Sequence, residues 1–143
     1  MIHGLWLGSA PGTREARELV KLGIDAVVDL RAERDTEATI WPPGVNVRFA
    51  QLQDHATPSA QQLGDAALMV ADLMAGGRTV LVHCRAGLER SPTVACAALM
   101  LQGWSLDAAY RRVTECRPHA LPTDGQLAAL HELQTRLGRL AQR

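Results

Sequence analysis

The run Thr79-Val80-Leu81-Val82-His83-Cys84 constrains this chain more than any other stretch. It is short, apolar and rich in β-branched residues, the pattern of a strand buried on both faces of a mainly parallel sheet. The residues that follow, RAGLERSPT (85–93), place a glycine where a turn needs conformational freedom and then a Ser-Pro pair. That pair predicts a helix start with Ser91 as N-cap and Pro92 at the first helical position. A strand, a short loop and a helix are therefore expected around Cys84. In open α/β sheets, ligands bind where strands end and helices begin.

The rest of the chain repeats the alternation. Strands are predicted at 5–9, 25–31 and 45–52, and helices at 13–23, 59–74, 91–102, 105–116 and 123–140. Gly23 closes the first helix, and Ser59 with Gln62 has the spacing of a capping box at the start of the second. Ser105 and Thr123 read as further N-caps, and WPPG at 41–44 as a turn. The expected fold is α/β: a central twisted, mainly parallel sheet of four to five strands, helices on both faces, and a helical C-terminal part.

A chain of 143 residues, 47% hydrophobic and 21% charged, is read as one globular domain spanning 1–143. Fifteen acidic residues balance fifteen basic ones, so no overall field favours nucleic acid or a membrane surface. No apolar run approaches the length of a membrane span and no leader pattern opens the chain, so a cytoplasmic setting is expected, with no nucleic-acid or membrane partner. The three cysteines, Cys84, Cys96 and Cys116, have no paired spacing, and no Cys/His cluster suggests a metal. No metal and no cofactor are expected.

What the loop can do follows from its spacing. Backbone N–H groups of a loop entering a helix can converge on an anion, and the helix dipole adds positive character there. Arg90 offers a planar fork matched to two oxygens of a tetrahedral oxyanion, and Gly87 permits backbone angles that a Cβ would hinder. Arg85, Ala86, Gly87, Leu88, Glu89 and Arg90 together would form a phosphate-sized cradle. Cys84 stands at its floor, in surroundings of the kind that favour a thiolate. Ser91 could donate its hydroxyl to that sulfur, and His83 could brace the loop while uncharged. A lone cysteine at a strand end is more often a small buried hydrophobe; the complete His-Cys-x2-Gly-x2-Arg-Ser string favours the nucleophile. Cys96 and Cys116 lie within predicted helices and read as filler.

The string VHCRAGLERSPT resembles the signature of the cysteine-dependent protein tyrosine phosphatases, in their compact dual-specificity branch. GLWLGSAPGTREARELVKLGIDAVVDLR resembles that family's opening strand, helix and second strand, and SLDAAYRRVTECRPHALPTDGQLAALHELQ its closing helices, including Arg117-Pro118. The resemblance implies a metal-free phosphatase acting through a phosphocysteine intermediate. Cys84 would be the nucleophile, Arg90 the phosphate clamp and Ser91 the stabiliser of the departing thiolate.

It also implies a general acid on a loop some thirty residues ahead of the cysteine. Asp54, in LQDHATPS, has that position, with Asp35 as the alternative. His55 beside it could touch substrate. Gln126 falls where relatives present a polar residue near the attacking water, although Thr123 and Gln126 also have capping-box spacing.

The implied partner is a phosphorylated protein or small phosphate ester, and phosphate-like oxyanions should inhibit. Glu89 departs from the small neutral residue usual before the arginine. Besides Arg90 the loop holds one Arg (Arg85) and one Glu (Glu89), with none of the lysine excess of relatives acting on multiply phosphorylated headgroups, which favours a singly phosphorylated substrate. Two other readings stay open. One is a non-catalytic phosphate-binding module of the same fold. The other is a rhodanese-like sulfurtransferase, whose loop is usually one residue shorter and has no use for Asp54.

Overall fold

The computed structural model describes residues 2, 4–32, 40–53 and 57–141. In chain order its elements are β1 (Leu5–Gly8), α1 (Thr13–Lys21), β2 (Ala26–Arg31), β3 (Asn46–Leu52), α2 (Ala60–Ala75), β4 (Val80–His83), α3 (Arg90–Leu101), α4 (Leu106–Cys116) and α5 (Asp124–Ala141). The four strands form one sheet in the order β1-β4-β2-β3, and every pairing is parallel. The chain thus leaves a gap between β1 and β2 that β4 later fills. The register sets Gly8 and Asp29 on either side of His83. Whatever leaves the C-terminal end of β4 is therefore flanked by the ends of both neighbours.

Strand alternation sorts the apolar residues into two layers. Ala26, Val28, Leu30, Val80 and Val82 join the large cluster with α2 and α3, including Leu63, Ala67, Val70, Val94 and Leu99. Val27 and Leu81 point to the opposite face, with Ile24, and meet Leu19 of α1, Trp6, Trp41 and Val47. Helices therefore cover both faces, as the α/β reading requires. Each fully buried Leu or Val contributes about 1.5–3 kcal/mol.

Helix α3 is buried from Arg90 to Met100, all round its circumference. Its sequence explains this: Ala95, Cys96, Ala97 and Ala98 are small enough for α2, α4 and α5 to approach closely. A helix apolar on every side belongs in the middle of a domain.

The helix ends are mostly written in the local sequence. Ser59 accepts from Gln62 N–H at 3.0 Å and Gln62 Oε1 accepts from Ser59 N–H at 3.0 Å, the reciprocal capping box. Ser105 caps α4 by accepting from Ala108 N–H. Gly23, one residue past the C-cap of α1, has φ +109°, a left-handed value that favours glycine.

The start of α3 departs from expectation. Its N-cap is Glu89, which makes no side-chain capping bond, and Ser91 and Pro92 lie inside the first turn. The hydroxyl of Ser91 is instead engaged with Cys84 and with Gly8.

Candidate active site

Cys84 follows the last residue of β4, with 2% of its surface exposed. Its neighbours are polar as well as apolar. Gly87 N–H donates to Sγ at 3.2 Å, and the thiol reaches Ser91 Oγ at 3.5 Å. Ser91 Oγ in turn donates to the carbonyl of Gly8 at the end of β1, at 3.3 Å. The sulfur therefore lies beneath the loop and the first turn of α3. Cys96, one and a half turns further along α3, is enclosed by the core, and burial pushes its thiol up to about 12.

The loop owes its shape to what holds its carbonyls. His83 Nδ1 lies 3.3 Å from the Cys84 carbonyl, and Ala10 N–H donates to Arg85 O at 3.0 Å. Arg117 donates from Nη2 to Ala86 O at 3.0 Å and from Nε to Gly87 O at 2.7 Å. Leu121 N–H donates to Leu88 O at 2.6 Å. Five consecutive carbonyls, 84 to 88, are thus tied to surrounding groups.

In a trans peptide the N–H of the next residue points opposite to the carbonyl. Tying these carbonyls fixes the peptides that carry the N–H groups of 85–89, of which the Gly87 N–H donates to Sγ. A ring of convergent N–H groups is an anion nest.

Arg90 is 2% exposed, and its Nη1 donates to the carbonyl of Leu52 at the end of β3, at 3.1 Å. The guanidinium is thereby anchored from the strand that leads toward Asp54. Around the rim, Arg85, Ala86 and Leu88 are exposed, and Gly87 is buried. Glu89 is half-buried with one carboxylate oxygen shut off from solvent, which excludes a fully solvated rim acid. Asp54, His55 and Asp35 lie outside the described residues.

Beneath the loop lies a polar trio on the α1 face of the sheet. Arg31 grips Asp29 with Nε and Nη2 at 3.1 and 2.9 Å, and His83 Nδ1 stands 3.9 Å from the same carboxylate. Burial alone would raise Asp29, but its bonds from Arg31 and the nearby charges outweigh it and hold the carboxyl below its usual range. Burial lowers His83 more than Asp29 raises it, so the ring is neutral near pH 7. To bond the Cys84 carbonyl, Nδ1 must carry the hydrogen.

Of the four loop residues expected to act together, Ser91 and His83 lie against Cys84, and Arg90 opens α3 with its guanidinium held on Leu52 O. No local sequence pattern assigns a role here to Arg117, Ala10, Leu121 or Asp29. Gln126, by contrast, is 1% exposed and exchanges capping bonds with Thr123 while accepting from Thr93 Oγ1; the capping account is the one observed. Among the described residues no group of three or more His, Cys, Asp or Glu could hold a metal, and no helix is long and apolar enough to cross a membrane.

Residues 5–136 match the family model described as "Dual specificity phosphatase, catalytic domain". The chain belongs to the dual-specificity phosphatase family. Human dual specificity protein phosphatase 13B is 33% identical over 143 residues, covering 94% of this chain and 71% of that protein. Mouse protein phosphatase Slingshot homolog 3 is 32% identical over 136 residues, which span 91% of this chain and only 20% of that relative. Among solved structures, Tk-PTP in the active form aligns with a TM-score of 0.82 at 34% identity, covering 92% of each chain. The parallel sheet and five helices are thus those of a dual-specificity phosphatase catalytic domain.

Proposed function

We propose that this dual-specificity phosphatase domain hydrolyses phosphate monoesters with Cys84 as nucleophile. The observation that carries the reading is the convergence of Gly87 N–H and Ser91 Oγ on the sulfur of Cys84, under a loop whose carbonyls are bonded to surrounding groups.

In the first step the sulfur attacks phosphorus, the S–P bond forms and the P–O bond to the leaving group breaks. Asp54 gives its proton to the departing oxygen. In the second, Asp54 takes a proton from water, the water oxygen attacks phosphorus, and the S–P bond breaks to release phosphate and the thiolate. Arg90 holds two of the three phosphoryl oxygens while loop N–H groups meet the charge that grows on all three. Ser91 has one proton to give, and a thiolate competes with Gly8 O for it, so the hydroxyl can turn to the sulfur as it leaves.

The acid role of Asp54 is supported by its place two residues beyond Leu52, whose carbonyl anchors Arg90. A singly phosphorylated protein side chain or small ester is the proposed substrate, with phosphate-like oxyanions as inhibitors. A nucleophilic thiol has to stay reduced, which favours a cytoplasmic setting. No observation favours the binding-module or sulfurtransferase alternatives over a family defined by its catalytic domain.

The test is hydrolysis of a panel of phosphopeptides and phosphoinositides with chelator present. Cys84→Ser should abolish turnover yet leave a folded protein that binds oxyanions; substantial residual turnover would refute the nucleophile. On a poor leaving group Asp54→Asn should lower the rate about 10²–10⁴-fold, and less with nitrophenolate. If it matches wild type there, Asp35 takes over as the acid candidate.

A further inference from the structure

We infer that Arg117 is a positioning residue of this site, fixing the phosphate cradle from outside by holding two of its peptide planes. The inference rests on the phosphatase reading and asks what keeps the cradle formed. Arg117 is the C-cap residue of α4, half-buried, and its guanidinium spans two adjacent carbonyls: Nε to Gly87 O and Nη2 to Ala86 O. These carbonyls belong to the peptides whose N–H groups are those of Leu88 and Gly87. The second of these donates to the sulfur. Holding the carbonyls therefore aims the N–H groups.

The neighbouring straps are backbone to backbone, from Ala10 and from Leu121. Among the described residues the two middle carbonyls have no such backbone partner and are held by one side chain. The choice of arginine follows. Two carbonyls side by side call for two N–H donors in one rigid plane, which a guanidinium supplies and an ammonium does not.

The positive charge also sits behind the loop, on the side away from the hollow. It acts on the oxyanion through the peptides between, with each carbonyl–N–H unit polarised toward the site. Without it, the Ala86–Gly87 and Gly87–Leu88 peptides lose the contacts that resist rotation. Gly87, at φ +73°, is the residue of the loop best able to rotate.

The experiment separates this role from catalysis by measuring binding in a protein that cannot turn over. In the Cys84→Ser background, titration calorimetry with tungstate should show Arg117→Met weakening affinity by about tenfold or more, the loss expected when hydrogen bonds to a charged group go. Arg117→Lys, which keeps the charge without the fork, should fall between the two. Arg112→Met, which breaks only a surface pair with Glu115, should bind as the parent does.

With Cys84 intact, Arg117→Met should raise KM for p-nitrophenyl phosphate more than it lowers kcat. Circular dichroism and Tm establish that each variant is folded. Tungstate affinity within twofold of the parent for the folded Met variant would overturn the inference, whatever the Lys variant does. So would equal losses in both accompanied by a collapse in Tm, which would make Arg117 a merely structural support. Absent turnover in the wild type would sink the catalytic reading and leave the tungstate comparison standing on its own.

Discussion

At Gly87, two independent constraints meet in one residue. Its φ of +73° lies in the left-handed region, which side chains with a Cβ adopt at a cost. A Cβ built there would also stand 2.5 Å from the carbonyl carbon of Gly8, 2.7 Å from Ser9 N and 2.7 Å from Arg117 Nη2. Two of those three neighbours are backbone and cannot swing aside. Gly87→Ala is therefore expected to destabilise the domain by about 2–3 kcal/mol, combining backbone strain with overpacking. It should also lower kcat/KM on p-nitrophenyl phosphate more than any stability loss explains. A Gly87→Ala protein with parental Tm and kcat/KM would show that the loop has more room than this geometry gives it. The residues legible beforehand were those in one continuous string, because Cys84, Gly87, Arg90 and Ser91 act within a span where spacing alone specifies chemistry. Ser91 was legible as a sulfur partner but misplaced as an N-cap, since a hydroxyl can serve only one geometry and here the site takes it. Arg117 shares in the family resemblance, but its sequence surroundings assign it no role. Its work is a side-chain bond to backbone 30 residues away, which leaves no local pattern.

At the scale of elements, periodicity gave most of the framework, and the helix that mattered most was the one it described least. α2 and α4 show caps that sequence specifies locally, and their starts fall one residue after the Ser expected to cap them. α3 has no polar face to read and no side-chain cap, so its beginning is set by the loop rather than by propensity. Its two ends do different things. The first turn brings Ser91 to the sulfur, and the middle packs Cys96 at 0% exposure among Ala95, Ala97 and Ala98. Burial that pushes the Cys96 thiol to about 12 leaves almost no thiolate at pH 8. Native protein exposed briefly to iodoacetamide at that pH should carry no label on Cys96 by mass spectrometry. Cys116, half-buried at the end of α4, is the internal comparison. Equal labelling of both would mean that α3 is not held as tightly as its packing implies.

Across the whole molecule, the site is assembled by the C-terminal edge of the sheet. Gly8 and Ala10 come from the end of β1, Leu52 from the end of β3, His83 from β4 and Arg117 from beyond α4, so no single segment defines it. The cost of that convergence is a set of buried polar groups, and they link stability to pH. His83 is held below its ordinary 6.5 by burial, against the pull of Asp29. As pH falls through about 6.5, the unfolded chain takes up a proton at this position and the folded one does not. The unfolded state then binds more protons, so stability rises with pH across this window and is lost on acidification. Asp29, held low by Arg31 despite its burial, adds a second loss, beginning as pH falls below its ordinary 3.8. Between about pH 7 and pH 5, where carboxylates contribute little, the slope from one imidazole is at most about 1.4 kcal/mol per pH unit. Urea titrations across that range should show the unfolding free energy of wild type decreasing toward acid. In His83→Asn the amide can still donate to the Cys84 carbonyl but cannot titrate, so the slope should be shallower. An unchanged slope would mean that another group carries the dependence, and that the imidazole beneath the loop is not the neutral brace its surroundings make it.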